Sequence, residues 1–327
     1  MTKGSSFPEV RRIIADSDMD GMCAAVVLKK AYPHAEVHFA HAALIRSGII
    51  DHLIDDYTVT VDLPFHPKSG WYLDHHLTNK PTDSEQIVFA SKGGTIHWDH
   101  APSAARLAFD LFRDEFDFPH LEVIMPLVDD LDSGGISLDT FRKDGPLLQL
   151  SRTLNYNDSN YMHHLLSLFQ TSTSMDQIYA DEIVEERMKT ARSTRLELMK
   201  IVEQKTTIVD RLAICRLEDT GYRSNGYLIT AYAGENADAC CIIHGYSDGE
   251  IGDKMRPPLS ASFYANSFLP GGQNRYDLSK LATKYDAHGG GHANACGCRI
   301  QPPGLDSNLS GWLTMWKNRD VELSLTD

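Results

Sequence analysis

Short apolar segments rich in β-branched residues alternate with helical patterns over the first third of the chain. The strand-like segments are 10–15, 36–40, 57–63 and 69–76, and the helical ones are 22–32 and 101–112. A segment at 121–135 that ends in acidic residues fits either a helix or a strand. Strands that alternate with helices favour a parallel sheet, because each helix returns the chain to the same sheet edge. We therefore predict an α/β domain with a largely parallel sheet.

The second half of the chain has a different pattern. At 327 residues the chain is long enough for two domains. Residues 174–205 are charge-rich and contain no Gly or Pro, which predicts one exposed helix or two abutting helices. A short helix is predicted at 277–285, and the strand-like segments that precede it are TTIVD, LAICRL, YLITAYA, ACCIIHGY and PLSASFYA. We predict a first domain over 1–180, a helical linker over 181–205 and a smaller α+β domain over 206–327.

Composition limits the classes of function. The chain has 31 Lys and Arg against 45 Asp and Glu, a net charge of −14 that disfavours a general grip on long duplex DNA. It contains no signal-peptide pattern and no run of 18 apolar residues, so we expect a cytoplasmic protein without membrane attachment. The cysteines match neither a disulfide framework nor paired zinc motifs, and we expect them to be reduced and semi-buried. The alternative is a zinc module built from Cys240, Cys241, Cys296 and Cys298.

Acidic residues and histidines follow the strand-like segments of the first domain. The clusters are Asp16, Asp18 and Asp20; Asp62; Asp74, His75 and His76; and Asp129, Asp130 and Asp132. Each cluster alone has an ordinary explanation as a turn, a helix end or a solvated surface pair. Parallel strands, however, bring their carboxyl ends to one edge, where ligands bind. Carboxylates with one imidazole and no thiolate favour Mn²⁺ or Mg²⁺ over structural zinc.

Five motifs occur in this chain in the same order as in a known family. DSDMDG, VTVDLP, LDHH and VDDLDSG, followed by GGGHANACG, resemble the motif series of the DHH phosphoesterase family. The resemblance extends over roughly residues 10–302 and implies a DHH domain followed by a DHH-associated domain. Members include RecJ-like exonucleases, oligoribonucleases, cyclic-dinucleotide phosphodiesterases and exopolyphosphatase relatives, and manganese-dependent inorganic pyrophosphatases share the first domain.

The resemblance also implies roles for single residues. It implies two Mn²⁺ ions, with Mg²⁺ as an alternative, and its metal ligands map onto Asp16, Asp18, Asp20, Asp62, His75 and Asp129. Asp62 resembles the carboxylate that bridges the two ions. Asp130 stays open as the last ligand in place of Asp129, and Asp132 is less favoured. The expected catalytic residues are His76, which resembles a histidine that faces the phosphate, and Asp20 and Asp74.

A glycine run in the second domain is the predicted substrate-binding element. Glycine permits close backbone approach, so exposed amides there can cradle an anion; the alternative is a tight strand–helix connection. The expected substrate-binding residues are Gly289, Gly290, Gly291, His292, Asn294 and Tyr264. Tyr264 stands where oligoribonuclease-like members carry an arginine, and a tyrosine brings no charge to a phosphate. Nearby arginines that could compensate are Arg256, Arg275 and Arg299.

These observations predict a metal-dependent phosphohydrolase. The preferred substrate is a short phosphodiester, such as a short single-stranded oligonucleotide or a linear dinucleotide, since the acidic chain disfavours long polymers. The alternatives are an exopolyphosphatase or another small phosphoanhydride or phosphomonoester hydrolase, and a non-catalytic nucleotide or metal sensor. A homodimer stays open.

Overall fold

The computed structural model describes residues 7–245, 259–287 and 289–325. The chain divides into two compact units, the first formed by Met1–Gly135 and Gly145–Ala191, the second by Ile136–Asp144 and Arg192–Asp327. The division falls inside a long helix, Glu182–Lys205, within the segment predicted to be helical. A shorter helix, Met175–Tyr179, precedes it, so the charge-rich segment forms two helices.

The first unit is built on a five-stranded sheet. Its strands are β1 (Arg12–Asp16), β2 (Glu36–Ala40), β3 (Thr58–Val61), β4 (Trp71–Asp74) and β5 (Thr95–Trp98). Their order is β2-β1-β3-β4-β5, and every neighbouring pair is parallel. This confirms the predicted α/β class. The strand order changes direction between β1 and β3, and in such sheets the crevice at that point is the usual ligand site.

The helices of the first unit are α1 (Met19–Ala31), α2 (Ala42–Ser47), α3 (Asp83–Ser91), α4 (Ala104–Phe112), α5 (Pro119–Ser133), α7 (Pro146–Ser151), α8 (Ser159–Thr171) and α9 (Met175–Tyr179). Helix α6 (Leu138–Lys143) belongs to the second unit, and α10 (Glu182–Lys205) contains the division. Every residue of α1 from Met19 to Leu28 is buried, because the helix packs against β1 on one side and α4, α5 and α8 on others. The ambiguous segment 121–135 belongs mostly to helix α5. The helix is followed by Gly134, which adopts the left-handed conformation.

The second unit contains a six-stranded mixed sheet. Its elements are β6 (Thr206–Val209), β7 (Leu212–Arg216), α11 (Gly226–Ala233), β8 (Ala239–His244), β9 (Ser260–Ala265), α12 (Ser279–Thr283), β10 (Gly290–Gly291), β11 (Ala295–Arg299), α13 (Leu305–Lys317) and α14 (Arg319–Glu322). The order is β10-β11-β9-β8-β7-β6; the β7–β8 pair is parallel and the other pairs are antiparallel. The expectation of an α+β second domain is confirmed.

One predicted strand was wrong. The segment YLITAYA lies in helix α11, which packs against β8 and β9. A short apolar run has no periodicity that separates a buried strand from a buried helix, so packing decides. Gly226 starts the helix directly beneath Tyr264, since a Cβ at Gly226 would lie 2.2 Å from the Tyr264 Cβ.

Two buried tryptophans on α13 close the core of the second unit. The Trp312 ring meets Phe263 edge-on with centroids 5.0 Å apart, and its indole N–H donates to the Leu281 carbonyl at 2.9 Å. The Trp316 indole donates to the Asp210 carbonyl at 2.8 Å. All six cysteines are free and buried, more deeply than the semi-buried positions that the sequence led us to expect. Within the described residues, no helix combines the length and apolar character needed to cross a membrane.

Candidate metal centre

The acidic cluster begins at the point where the sheet order changes direction. Asp16 ends β1, and Asp62 directly follows the neighbouring strand β3. Asp62 adopts φ 59°, a left-handed conformation that aspartate tolerates better than bulky residues do. Its side chain is 2% exposed, so the carboxylate is almost fully removed from water. The parallel topology therefore brings two acids together from positions 46 residues apart in the sequence.

The DSDMDG motif combines the end of β1 with the start of α1. Asp18 caps the helix by accepting a hydrogen bond from the Gly21 amide at 3.0 Å. A Cβ at Gly21 would lie 2.2 Å from the Asp16 carbonyl oxygen, so this turn requires glycine. The buried Asp20 carboxylate accepts from the Ala104 amide at 2.8 Å and from the Ala105 amide. The third acid of the motif thus also joins α1 to the first turn of α4.

His75 directs one ring nitrogen into the acids. Its Nδ1 lies 3.0 Å from the Ala101 carbonyl, which can only accept, so Nδ1 carries a proton and Nε2 is the ring nitrogen that faces the acids. Distances from Nε2 are 3.0 Å to Asp132 Oδ2, 3.6 Å to Asp20 Oδ2 and 3.7 Å to Asp62 Oδ1. A histidine metal ligand needs this orientation, in which the backbone holds the Nδ1 proton and Nε2 faces the position of a cation.

His76 is oriented by Asp74. The fully buried Asp74 ends β4, and its Oδ1 lies 2.9 Å from His76 Nδ1, while Tyr72 donates to its Oδ2 at 2.6 Å. Burial alone would raise the pKa of Asp74, but hydrogen bonds from His76 and Tyr72 outweigh burial and lower it. Asp74 is therefore an anion that holds the His76 ring in place. Sequence reasoning did not single out Tyr72, whose spacing of two from Asp74 puts both side chains on one face of the strand.

The run VDDLDSG contributes Asp132 to the cluster. Asp129, the expected ligand, instead accepts hydrogen bonds from Arg106 at 2.6 and 3.1 Å and from the Ser103 hydroxyl at 2.7 Å. Asp130 is exposed, and Asp132, three residues beyond Asp129 in the last turn of α5, reaches His75. Sequence reasoning missed Ser103 and Arg106. The sequence did contain a hint, because an arginine on α4 can neutralise only one of the acids in VDDLDSG.

The cluster holds more negative charge than its surroundings compensate. Burial, and then the Asp18 charge, raise the pKa of Asp16 to about 8. Burial and neighbouring acids raise the pKa of Asp20 and Asp62 well above the usual range. Burial opposes protonation of His75, but Asp132 and Asp20 outweigh it and raise its pKa to about 9. The site therefore favours any positive charge placed among these groups.

Two buried atoms at the centre lack partners. Among the described residues, neither Asp62 Oδ1 nor His75 Nε2 makes a hydrogen bond of acceptable geometry. Two overlapping groups bring ligand atoms within 4.8 Å of one another: Asp62, Asp74, His75 and His76; and Asp20, His75 and Asp132. Neither group contains a cysteine. Unpaired lone pairs, oxygen-rich ligands and excess negative charge together fit a hard divalent cation.

The glycine run and the residues that follow it form a β-hairpin in the second unit. Gly290 and Gly291 form β10, which pairs with β11, and the His292 amide donates to the Ala295 carbonyl at 2.8 Å across the turn. Gly291 has φ 134°, and a Cβ there would lie 2.6 Å from the Ala295 carbonyl oxygen. The glycine run is therefore a tight strand–strand connection.

Asn294 lies in the turn of this hairpin, and Tyr264 lies on the neighbouring strand β9. The Asn294 carbonyl accepts from the Ala265 amide at 2.8 Å, which joins the turn to β9. Tyr264 pairs with Ala295 in the sheet, and burial raises the pKa of its hydroxyl to about 12. Tyr264 thus remains a neutral donor and acceptor at ordinary pH.

Comparison with known proteins identifies the fold. No protein-family model matches the sequence, and neither does any curated protein. Among solved structures, the pGpG-specific phosphodiesterase PggH from Vibrio cholerae is 20% identical, with a TM-score of 0.69 over 94% of this chain and 99% of that one. An exopolyphosphatase-related protein from Bacteroides fragilis is 16% identical, with a TM-score of 0.54 over 95% of this chain and 92% of that one. Both are DHH-family proteins, so the two-domain DHH fold that the motifs implied is confirmed.

Proposed function

We propose that this chain is a divalent-metal-dependent phosphodiesterase that hydrolyses short oligonucleotides or linear dinucleotides. One observation carries the proposal: the unpaired Asp62 Oδ1 and His75 Nε2 lie 3.7 Å apart, buried among further acids. A fold without a ligand gains nothing from leaving these groups unpaired, because a buried polar atom without a partner destabilises the folded state. The cluster is therefore best explained as a binding site for cations.

The proposed ligands follow from the geometry. Asp62, His75, Asp20 and Asp132 have ligand atoms directed at a common region, and Asp16 and Asp18 add negative charge to it. We propose Asp132, in place of Asp129, as the last carboxylate. Two divalent ions bound there, Mn²⁺ by preference and Mg²⁺ as the alternative, would activate a water molecule and neutralise charge on phosphoryl oxygens.

His76 is the proposed proton donor. The Asp74 carboxylate, 2.9 Å from Nδ1, fixes the orientation of the ring. In the proposed reaction Nε2 is the atom that donates a proton to a phosphoryl oxygen or to the leaving group. In this scheme Asp74 positions His76, and Asp20 has a double role as a ligand and as the anchor of α4.

The second unit supplies the proposed phosphate-binding residues. His292 and Asn294 lie in the hairpin turn that the glycine run permits, and backbone amides near such turns can hold an anion. Tyr264, kept neutral, can hydrogen-bond a phosphate but cannot form an ion pair with it. This suits a substrate with few phosphates better than one with many.

The preferred substrate is a linear dinucleotide. Supporting it are the fold shared with a pGpG-specific phosphodiesterase and the net charge of −14, which disfavours long polymers. The second candidate is a phosphoanhydride such as polyphosphate. It is favoured by the fold shared with an exopolyphosphatase-related protein.

The test compares three substrates on one protein. Mn²⁺-loaded chain is incubated with a linear dinucleotide, with polyphosphate and with bis(p-nitrophenyl) phosphate, and products are resolved by chromatography and phosphate release. We expect mononucleotides from the dinucleotide, and none from the isosteric variant Asp62→Asn. Faster phosphate release from polyphosphate would favour the second candidate. Tight dinucleotide binding without turnover of any substrate would make the chain a sensor and contradict the enzyme proposal.

A further inference from the structure

A cavity of about 290 Å³ lies in the first unit at the opposite ends of the helices that carry the acids. Its walls are the end of α1, the start of α5 and the end of α8, with Val26, Lys30, Phe118, His120, Phe169 and Thr171 among the lining residues. The volume is close to the lower end of the range for small-molecule sites. None of these residues takes part in the proposed phosphodiesterase site.

His120 is the buried polar group of this cavity. The residue is 7% exposed, and among the described residues neither ring nitrogen makes a hydrogen bond of acceptable geometry, although the Phe169 carbonyl lies beside the ring. Burial lowers its pKa, so the ring is neutral and has one donor and one acceptor to offer. An apolar side chain of similar size would suit the core better, so the histidine points to a ligand in the cavity.

The charges around the cavity favour an anion. Lys30 is exposed, forms no ion pair within the described part of the chain, and lies close enough to His120 to lower its pKa. Helix α5, 15 residues long, begins beside the cavity at Phe118 without a side-chain cap, so its first amides lack the partner that a capping side chain supplies. A helix amino end with uncapped amides attracts negative charge.

The remaining walls limit the size and charge of the ligand. Phe118, Phe169 and Val26 are buried and present apolar surface, which suits a compact apolar body such as a single ring. Asp117 also lines the cavity and is exposed, and its charge disfavours a second negative charge on the ligand. Hydroxyl and amide groups on the segment 170–173 add polar contacts at the rim.

We propose that this cavity binds a small organic monoanion, with its anionic group at Lys30 and the start of α5, and its apolar body against Phe118 and Phe169. Lys30 is ten residues from Asp20 along α1, a separation of about 15 Å, and His120 is twelve residues from Asp132 along α5, about 18 Å. The cavity is therefore a second site, and a ligand there does not compete directly with a phosphoester at the acids. Because α1 and α5 each connect the two sites, the second site is suited to an effector.

The test uses benzoate as the probe and benzamide as its neutral match. Saturation-transfer NMR titrations give the dissociation constant for the full chain and for four variants. We expect benzoate to bind the wild type, and to bind the charge-matched control Lys189→Gln and the acid-cluster variant Asp62→Asn equally well. Lys30→Gln should weaken benzoate binding about fivefold, the upper range for one exposed ion pair. Thr171→Trp, which places an indole at the rim, should abolish it.

Benzamide should bind the wild type more weakly than benzoate by a similar factor. A further variant, His120→Phe, separates a ligand role from a structural role. If His120 serves a ligand, this variant keeps or raises the melting temperature and loses benzoate binding. A marked fall in melting temperature would assign His120 to the fold. Absence of benzoate binding to the wild type, or equal binding to Lys30→Gln and Thr171→Trp, would overturn the proposal.

Discussion

Asp62 in the first unit and Asp238 in the second are both buried, but their surroundings are opposite. Asp238 in the second unit, with its side chain 1% exposed, accepts hydrogen bonds from Arg211 at 2.6 and 2.8 Å and from Arg275 at 2.8 Å. Burial would raise its pKa, but the two arginines outweigh burial and lower it. Asp62 in the first unit is equally buried, yet burial and the charges of Asp20 and Asp18 raise its pKa well above the usual range.

The difference shows which buried acid belongs to the fold and which to a ligand. The second unit supplies its own cations, so Asp238 needs nothing from solution. In the first unit Arg106 pairs with Asp129 on α5, and the described residues around Asp62 include no lysine or arginine bonded to it. Since uncompensated buried charge is costly, the acid cluster is suited to a cation that the chain does not carry.

The largest expected effect is loss of turnover in Asp62→Asn. Asparagine keeps the size of the side chain and tolerates the left-handed backbone at φ 59°, so the fold should persist. Removing one central ligand should lower kcat/KM at least about a thousandfold, a loss of about 4 kcal/mol of transition-state stabilisation. Steady-state kinetics with Mn²⁺ measure this, and calorimetry of the metal-free variant checks the fold.

The metal-free variant should be as stable as the wild type or more stable, because one repelled carboxylate is gone. The matched control is Asp130→Asn, which replaces an exposed acid on α5 and should keep normal activity. Turnover in Asp62→Asn close to that of the wild type would contradict the assignment of Asp62 to the cation site.

The second expected effect separates two acids on one helix. Asp132→Asn should lower kcat/KM about a hundredfold with little change in stability, because its carboxylate faces the cluster. Asp129→Asn should chiefly destabilise the first unit, because it breaks a pair with Arg106 that is largely buried on the acid side. Kinetics and thermal unfolding of both variants test this. The reverse pattern would restore Asp129 as the ligand.

Asp129 and Asp132 also show what could not be predicted from the sequence. Parallel strands must bring their ends together, so the convergence of Asp16, Asp62 and His75 could be predicted from the alternating pattern alone, and β2 has the predicted bounds of 36–40. The choice between Asp129 and Asp132 depends on the rotation of α5 and on Arg106, 23 residues away on another helix. Such a choice is set by tertiary packing, which a local pattern does not encode.

The same limit applies to α11 and to Asp20. A seven-residue apolar run is equally suited to a strand and a buried helix, and YLITAYA forms a helix that contacts β8 and β9. The double role of Asp20 arises from amides 84 and 85 residues away, at Ala104 and Ala105. A motif indicates that an acid is needed at a position, but it does not predict which other groups that acid hydrogen-bonds.

The third expected effect concerns Asp238, whose charge is compensated by arginines of its own unit. Asp238→Asn should destabilise the second unit by about 2 kcal/mol, less than for a fully buried pair because Arg211 and Arg275 are each about half exposed. Its activity per folded molecule should stay normal. Urea unfolding gives the free energy, and a variant as stable as the wild type would remove the contrast with Asp62.

The pH dependence of stability gives a second test of the role of Asp238. The folded pKa of Asp238 lies below its unfolded value of about 3.9, so its contribution is fully present above that pH. It is lost as pH falls through the folded pKa. The difference in unfolding free energy between the wild type and Asp238→Asn should therefore be constant from about pH 7 to pH 5 and shrink below about pH 4. A difference that grows towards low pH would contradict this sign.

The smallest expected effect belongs to His292. If the hairpin turn binds substrate and the chemistry lies in the first unit, His292→Ala should raise KM about tenfold, the value of one hydrogen bond to a charged group, and leave kcat within about twofold. The control is His34→Ala, an exposed histidine in the first unit. Full saturation curves with a dinucleotide separate the two constants. A loss confined to kcat would place His292 in the transition state.

Metal binding tests the central claim most directly. Isothermal titration of metal-free protein with Mn²⁺, followed by elemental analysis after dialysis, gives the number of ions held per chain by the wild type and by Asp62→Asn. The account predicts two ions in the wild type and loss of tight binding in Asp62→Asn, with normal binding in Asp238→Asn. A wild type that binds no Mn²⁺ or Mg²⁺, or an Asp62→Asn variant that binds both ions unchanged, would contradict it.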